Sequence, residues 1–257
     1  MAEYNSPIYC IVGATASGKT ALSIALAQAL GGPSAAEIIS ADAMQLYRGM
    51  DIGTAKITNA EKCGILHHQI DVLDIKDEAS VAKYQELARN DLEKICERGK
   101  TPIIVGGSGL YISALIDKLD FPGTDETIRS ELNQIWETSG LEPLIAELFR
   151  KDPITAETIN LANPRRVIRA LEVVRLTGKS YTPVFPRHTS HYSNVVQIGV
   201  NTAKEILHQR IFARAQKMFA NGLLEETQTL ITQGLRDAAT AKKLPDMRKA
   251  LQLSTVN

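Results

Sequence analysis

Eight residues near the N-terminus have the spacing of a phosphate-binding loop. The segment GATASGKT, residues 13–20, fits the pattern G-x-x-x-x-G-K-[ST]. Its two glycines let the loop curl so that backbone N–H groups point inward, and the helix that follows adds its positive N-terminal end. Lys19 adds a full charge, and Thr20 offers a hydroxyl to Mg²⁺. The predicted site binds a diphosphate or triphosphate through Gly13, Ala14, Thr15, Ala16, Ser17, Gly18, Lys19 and Thr20.

A carboxylate, Asp42, directly follows the second apolar run, residues 37–40. In an open α/β sheet, ligands bind at the carboxyl ends of the strands, so Asp42 should lie beside the phosphate-binding loop. It could bind Mg²⁺ through water, accept a proton from a substrate amine, or cap the next turn. Asp71 and Asp74 follow another apolar stretch and are rivals for a magnesium-binding role.

Two groups of arginines have helical spacing. Arg165 and Arg169 are four residues apart and share a helix face, with Arg166 close to it. They could bind phosphates, or they could form a solvated surface that pairs with Glu172. Farther along the chain, at positions 210 and 214, a second pair is also four apart. An arginine that reaches the phosphate-binding loop could stabilise a leaving diphosphate, whereas one on the surface would not.

The surrounding pattern predicts an α/β fold, a P-loop NTPase-like parallel sheet flanked by helices. Apolar runs predict strands at 8–12, 37–40, 68–72, 101–105 and 195–200, and amphipathic spacing predicts helices between them. A second strand–glycine–helix junction follows the fourth strand, at Gly106–Gly109. From Phe121 onward three helical patterns occur with few strand signals. We therefore predict a catalytic core of residues 1–120 and 195–257, with an inserted all-helical sub-domain at 121–194.

The composition is that of an ordinary globular protein. The chain has 257 residues, with 29 Lys and Arg against 29 Asp and Glu, so its formal net charge is zero and gives no global argument for a nucleic-acid partner. Three widely spaced cysteines without a C-x-x-C motif favour thiols in a reducing compartment. The N-terminus lacks a signal-peptide pattern, and no apolar run approaches membrane-spanning length. We expect a cytosolic protein that acts as a monomer and does not bind membranes.

Seven stretches in order resemble the tRNA dimethylallyltransferases, the isopentenyltransferases that prenylate adenosine beside the anticodon. They are GATASGKT, EIISADAMQLYRGMDIGTAK, HHQIDVLD, RGKTPIIVGGSGLYISAL, the DP-x-x-A stretch at residues 152–156, RRVIRALEVVRLTGK and LHQRIFARAQKM. The resemblance runs from about residue 8 to residue 235. The second and fourth stretches are far more specific than the phosphate-binding loop.

This resemblance implies a reaction. Dimethylallyl diphosphate would bind with its diphosphate in the loop and Mg²⁺ on Thr20, and the adenine N6 amine would attack the allylic carbon. Asp42 matches the aspartate that takes the amine proton, and Arg214 matches the arginine that assists the diphosphate. Ser108 stands where the family usually has threonine, and it keeps the catalytic hydroxyl. The residues that match adenine- or tRNA-binding positions are Asp42, Ala43, Met44, Gln45, Ser108, Arg129, Arg165, Arg166 and Arg169.

Three departures from the family pattern leave alternatives open. Ala14 replaces the usual proline, and Lys204 stands where arginine is common. After residues 245–247 the family normally continues with a glycine–tyrosine motif and further basic helices, which this sequence lacks. The tRNA-type motifs and the retained insertion favour transfer to adenosine in the tRNA anticodon stem-loop, which is our prediction. The last departure and the zero net charge favour the alternative, prenyl transfer to free AMP, ADP or ATP as in cytokinin synthesis. A small-molecule kinase and a paralogue without turnover are further alternatives.

Overall fold

The computed structural model describes residues 6–181, 189–236 and 238. The chain divides into two compact units. The first contains residues up to 118 together with those from 188 onward, and the second contains residues 119–187.

The first unit is built on a parallel sheet of five strands in the order β3-β2-β4-β1-β5. The strands are β1 (Ile8–Gly13), β2 (Ala36–Ala41), β3 (His67–His68), β4 (Thr101–Gly106) and β5 (Val195–Val200). All six residues of β2 are buried, as expected for a parallel strand covered on both faces. The predicted parallel α/β sheet is confirmed.

The described part of the first unit has five α-helices beside this sheet: α1 (Lys19–Ala29), α2 (Val81–Glu97), α3 (Gly109–Ile116), α8 (Lys204–Ala220) and α9 (Leu223–Thr232). Helix α2 shows the apolar stripe that the sequence predicts, with Tyr84, Ala88, Leu92 and Ile95 buried. Within the described residues, no helix is both long and apolar enough to cross a membrane.

The second unit is all-helical in its described part, with α4 (Glu126–Ser139), α5 (Glu142–Lys151), α6 (Pro153–Thr158) and α7 (Pro164–Thr177). Its core includes Leu132, Leu144, Leu148, Val167 and Leu171, all at most 1% exposed. These are the inward positions of the amphipathic patterns, so the helical character of the insertion follows from the sequence.

The second unit spans residues 119–187, which is shorter than the predicted insertion at 121–194. Tyr192, assigned to the insertion by sequence, is buried in the core of the first unit. Asn194 of the same segment accepts a hydrogen bond from the Ile8 N–H through its carbonyl oxygen. The segment lacks a helical or strand period, and its packing against β1 therefore has no sequence signal.

The predicted third strand, residues 68–72, is reduced to two residues. Gln69 and Asp71 both have a φ of +58°, in the left-handed region that a strand cannot contain. The backbone N–H groups of Asp71 and Val72 instead donate to the carbonyls of Gln45 and Leu46. The segment thus packs against the loop that follows β2 rather than extending the sheet.

A buried carboxylate lies at the start of β2. Glu37 is 1% exposed and accepts hydrogen bonds from His68 at 2.7 Å, Arg98 at 2.6 Å and Lys100 at 2.9 Å. Burial alone would raise the pKa of Glu37, but hydrogen bonds from Lys100, His68 and Arg98 lower it to about 2. Burial likewise opposes the charged form of His68, yet Asp91 and Glu37 raise the pKa of this imidazole above 6.5. The His68 imidazole therefore lies between two carboxylates that favour its protonated form.

We expect the His68→Asn variant to lose one component of the pH dependence of stability. Because the pKa of His68 is raised by folding, its contribution is fully present below about pH 6.5 and is lost as the pH rises through the folded value. Urea unfolding of parent and variant between about pH 6 and about pH 9 should show a gap of about 1–2 kcal/mol that narrows with pH. A gap that stays constant across this range would contradict the charged imidazole.

Candidate active site

A cavity of about 270 Å³ lies at the carboxyl ends of β1, β2 and β4. It is within the first unit, where open parallel sheets bind ligands. Its lining comprises Thr15, Ala16, Gly18, Lys19, Thr20, Ser40, Asp42, Gln45, Thr54, Ala55, Val105, Gly106, Gly107 and Arg214. The phosphate-binding loop, Asp42 and Arg214, which are far apart in the sequence, therefore meet in one place.

The loop between β1 and α1 has the backbone conformation that the glycine pattern predicts. Ala16 has a φ of +62° and Gly18 a φ of +101°, and such left-handed residues turn successive N–H groups toward one concave face. Gly18 is the N-cap of α1 and provides no side-chain cap. The first N–H groups of α1 are therefore available to an anion.

Glycine is required at two positions around the cavity, because the backbone of a neighbouring strand passes close to each of them. A Cβ at Gly106 would lie 2.2 Å from the carbonyl oxygen of Ala41, and a Cβ at Gly13 would lie 2.6 Å from that of Val200. Either side chain would force adjacent strands apart. Gly106 thus lets β4 pass the end of β2, where Asp42 emerges.

Lys19, Asp42 and Arg214 form the charged part of the cavity. Burial lowers the pKa of Lys19, with Asp42 opposing and the positive charge of Arg214 adding to this effect. Burial also lowers the pKa of Arg214, against the attraction of Asp42. Two cations near one carboxylate leave an excess positive charge, which suits an anionic ligand.

Asp42 and Lys19 each have one contact that fixes their position. Asp42 Oδ1 accepts a hydrogen bond from the Met44 N–H at 2.9 Å, so the side chain does cap the next turn while it lines the cavity. Lys19 Nζ donates to the Ala14 carbonyl at 2.6 Å. A Cβ at Gly107 would lie 3.7 Å from Lys19 Nζ, which places the ammonium group between the two glycine turns.

A row of polar groups forms another part of the lining. Ser40 Oγ donates to Gln45 Oε1 at 3.1 Å. Gln45 Nε2 donates to the carbonyl oxygens of Thr54 at 3.2 Å and Ala55 at 3.5 Å. Of these four residues the sequence indicated only Gln45. The other three lie at a strand end and in a polar segment without periodicity, so their position depends on tertiary packing.

The remaining predicted residues of the first unit lie beside the cavity rather than in its lining. Gly13, Ala14 and Ser17 belong to the loop but do not line the cavity, and Ala43 and Met44 follow Asp42 outside it. Ser108 is the N-cap of α3, makes no side-chain cap and adjoins Gly107. Its predicted catalytic hydroxyl stays a prediction.

The competing aspartates have other partners. Asp71 forms an ion pair with Lys56, whose side chain is 5% exposed, and Asp74 pairs with Arg48 at 3.2 Å on the surface. Neither aspartate lines the cavity. The structure therefore favours Asp42 among the three. Of the two arginines on α8, Arg214 lines the cavity, whereas Arg210 is exposed and does not.

In the second unit, two of the four predicted arginines bind a buried carboxylate. Glu172 is fully buried and pairs with Arg129 at 3.0 Å and Arg169 at 2.8 Å. Arg169 also donates to the carbonyls of residues 122 and 123. Arg165 and Arg166 are exposed. The pairing with Glu172 that the sequence left open thus holds for Arg169, and RNA contact stays a prediction for all four.

Comparison with known proteins shows the family of the chain. The model of the IPP transferase family matches residues 45–255. The tRNA dimethylallyltransferase of Streptomyces coelicolor is 47% identical over 236 residues, which cover 92% of this chain and 74% of that protein. A protein of the same name from Mycobacterium tuberculosis is 45% identical over 233 residues, which cover 91% of this chain and 74% of that protein.

Solved structures show the same fold. The tRNA isopentenylpyrophosphate transferase of Bacillus halodurans is 42% identical, with a TM-score of 0.62 and coverage of 93% of this chain and 74% of that one. A eukaryotic dimethylallyltransferase acting on tRNA is 29% identical, with a TM-score of 0.78 and coverage of 91% and 57%. With a family match over most of its length and relatives above 40% identity, this chain belongs to the IPP transferase family.

Proposed function

We propose that this protein transfers a dimethylallyl group from dimethylallyl diphosphate to the N6 amine of an adenosine beside the anticodon of tRNA. The observation that carries the proposal is the cavity in which Lys19, Asp42 and Arg214 meet at the phosphate-binding loop. The names of the relatives support tRNA as acceptor over a free nucleotide, and a prenyl donor over the ATP of a small-molecule kinase.

The cations of the cavity stabilise the diphosphate leaving group. The bond between the allylic carbon and the diphosphate oxygen breaks with both electrons going to oxygen, and a bond forms from N6 to that carbon. Lys19, Arg214 and the N–H groups at the start of α1 stabilise the charge that develops on the diphosphate. Because these groups are held before the substrate binds, little reorganisation is needed during the reaction.

Asp42 orients the adenine amine and accepts its proton. An adenine N6 amine is a poor nucleophile, so its orientation and a nearby proton acceptor matter most. The Met44 N–H holds Oδ1 of Asp42, and we assign the amine proton to Oδ2. The base must leave its stack to reach this position, as in other enzymes that modify bases.

The donor set fits a magnesium ion. Thr20 lines the cavity, and the hydroxyl at this position of a phosphate-binding loop is a Mg²⁺ ligand, with further oxygen ligands supplied by phosphates and water. We propose that Thr20 holds the ion together with diphosphate oxygens. The bound ion would supply further charge neutralisation for the leaving group.

The acceptor can be tested directly with purified protein, Mg²⁺ and labelled dimethylallyl diphosphate. One reaction contains an unmodified anticodon stem-loop, one contains AMP, and a control contains the stem-loop with guanosine at the modified position. We expect label on the adenosine stem-loop only. Label on AMP alone would identify a cytokinin-type enzyme, and label on the guanosine control would contradict transfer to adenine N6.

A further inference from the structure

The carboxylate of Glu226 on α9 does not line the cavity. It accepts hydrogen bonds from three successive backbone N–H groups in the loop that leads to the cavity. Glu226 Oε2 accepts hydrogen bonds from the N–H groups of Asp51 at 2.9 Å and Ile52 at 2.7 Å, and Oε1 accepts one from Gly53 at 3.0 Å. These three residues are named the 51–53 turn. Hydrogen bonds to a charged acceptor are about twice as strong as neutral ones, so Glu226 is the main attachment of this turn to α9.

The turn also packs closely against the same helix. A Cβ at Gly53 would lie 3.3 Å from Leu223 Cδ1 and 3.5 Å from Glu226 Oε1, and a Cβ at Gly49 would lie 3.4 Å from Leu230 Cδ2. These distances place the backbone of this segment within van der Waals reach of the side chains of α9, beside the Glu226 carboxylate.

The residues directly after the turn are part of the cavity. Thr54 and Ala55 line it, and their carbonyl oxygens hold the amide of Gln45, which also lines it. The other end of this segment is fixed by Lys56, which donates to Asp51 at 2.8 Å and to Asp71. A shift of the 51–53 turn would therefore move Thr54, Ala55 and the Gln45 side chain together.

Helix α9 is also attached to the helix that carries Arg214. The two helices are joined at Gly222, which has a φ of +96°. Helix α9 is anchored in the core through Thr227 and Leu230, which are buried, so α9 and the adjoining α8 with Arg214 should keep their place independently of the 51–53 turn. The bonds from Glu226 thus hold the wall of the cavity that Thr54 and Ala55 form against a fixed helix.

We propose that Glu226 is a positioning residue, which holds the wall formed by Thr54, Ala55 and Gln45 in register with the groups that bind the diphosphate. Its kinetic consequence rests on the proposed function. The hydrogen bonds that the Glu226 carboxylate accepts in the described part of the chain come from the 51–53 turn and not from the phosphate-binding loop, so donor binding should not depend on it. Orientation of the acceptor should depend on it, because small displacements of a reacting group are costly.

The test compares Glu226→Gln with Glu225→Gln. Both remove one negative charge from the first turn of α9, but Glu225 is exposed, and the three N–H groups of the 51–53 turn donate to Glu226 instead. In Glu226→Gln, an NH₂ group must face at least one of the three N–H donors. We expect kcat/KM for the acceptor to fall by about tenfold to 100-fold, with the affinity and stoichiometry of dimethylallyl diphosphate within about twofold of the parent. Glu225→Gln should behave as the parent does.

Hydrogen–deuterium exchange gives a readout that does not require turnover. Peptides that cover residues 51–56 should exchange faster in Glu226→Gln than in the parent or in Glu225→Gln, while peptides of the phosphate-binding loop should not change. Glu226→Asp, which keeps the charge, should restore part of both the protection and kcat/KM.

Three results would overturn the proposal. The first is hydrogen–deuterium exchange at residues 51–56 of Glu226→Gln that is the same as in the parent, and the second is an unchanged kcat/KM of this variant for the acceptor. The third is a loss of donor-binding stoichiometry that parallels the loss of activity, which would indicate partial unfolding instead. If the parent itself labels no acceptor, the proposed function fails, and the exchange measurement still decides whether Glu226 holds the turn.

Discussion

Asp42→Ala is expected to bind dimethylallyl diphosphate within about twofold of the parent and to lose about 10²- to 10⁴-fold in turnover. The reason is geometric. Asp42 lines the cavity with Lys19 and Arg214, but in the proposed reaction the loop and the cations, rather than a carboxylate, bind the diphosphate. Loss of the carboxylate would then remove the proposed proton acceptor for the amine and leave the anion site in place.

Asp42→Asn separates proton acceptance from turn capping. The asparagine oxygen can still accept the hydrogen bond from the Met44 N–H, so the turn is kept while the basic oxygen is lost. Turnover should therefore fall nearly as far as in the alanine variant. Asp74→Ala is the matched control, because Asp74 is an exposed rival that does not line the cavity. Turnover of Asp42→Asn at the parent rate would remove proton transfer from the role of Asp42.

Local sequence was sufficient to predict the part of the site that is contiguous in the chain. The strand, the loop and α1 occupy residues 8–29, and their geometry depends on glycine conformation and helix propensity within that segment. Asp42 could be placed because the carboxyl ends of parallel strands meet at one edge of the sheet. Both inferences need only short-range patterns and one topological rule.

Packing between distant segments could not be predicted in the same way. Arg210 and Arg214 lie four residues apart on α8 and have neighbours of similar type. Only the orientation of the helix places Arg214 in the cavity and leaves Arg210 exposed. The contact of Glu226 with the 51–53 turn joins residues more than 170 positions apart, and an acidic residue in the first turn of a helix has a local explanation already. The predicted monomer in the cytosol likewise stays a prediction.

Arg214→Gln should lower kcat/KM for dimethylallyl diphosphate by about 10²- to 10³-fold, the usual cost of removing one donor that stabilises a developing anion. In the free protein Arg214 and Lys19 repel each other, which contributes to the lowered pKa of Lys19. The variant loses this repulsion together with the attraction between Arg214 and Asp42, so its stability in urea unfolding should stay close to that of the parent, and a loss of activity could then not be assigned to loss of fold. Arg214→Lys should recover only part of the rate, because an ammonium cannot replace the bidentate contact of a guanidinium with a phosphate.

Arg210→Gln, one turn earlier on the same exposed helix, is the matched control and should act as the parent does. Equal losses in the two glutamine variants would show that α8 contributes general positive charge, and Arg214 would then have no specific role at the diphosphate.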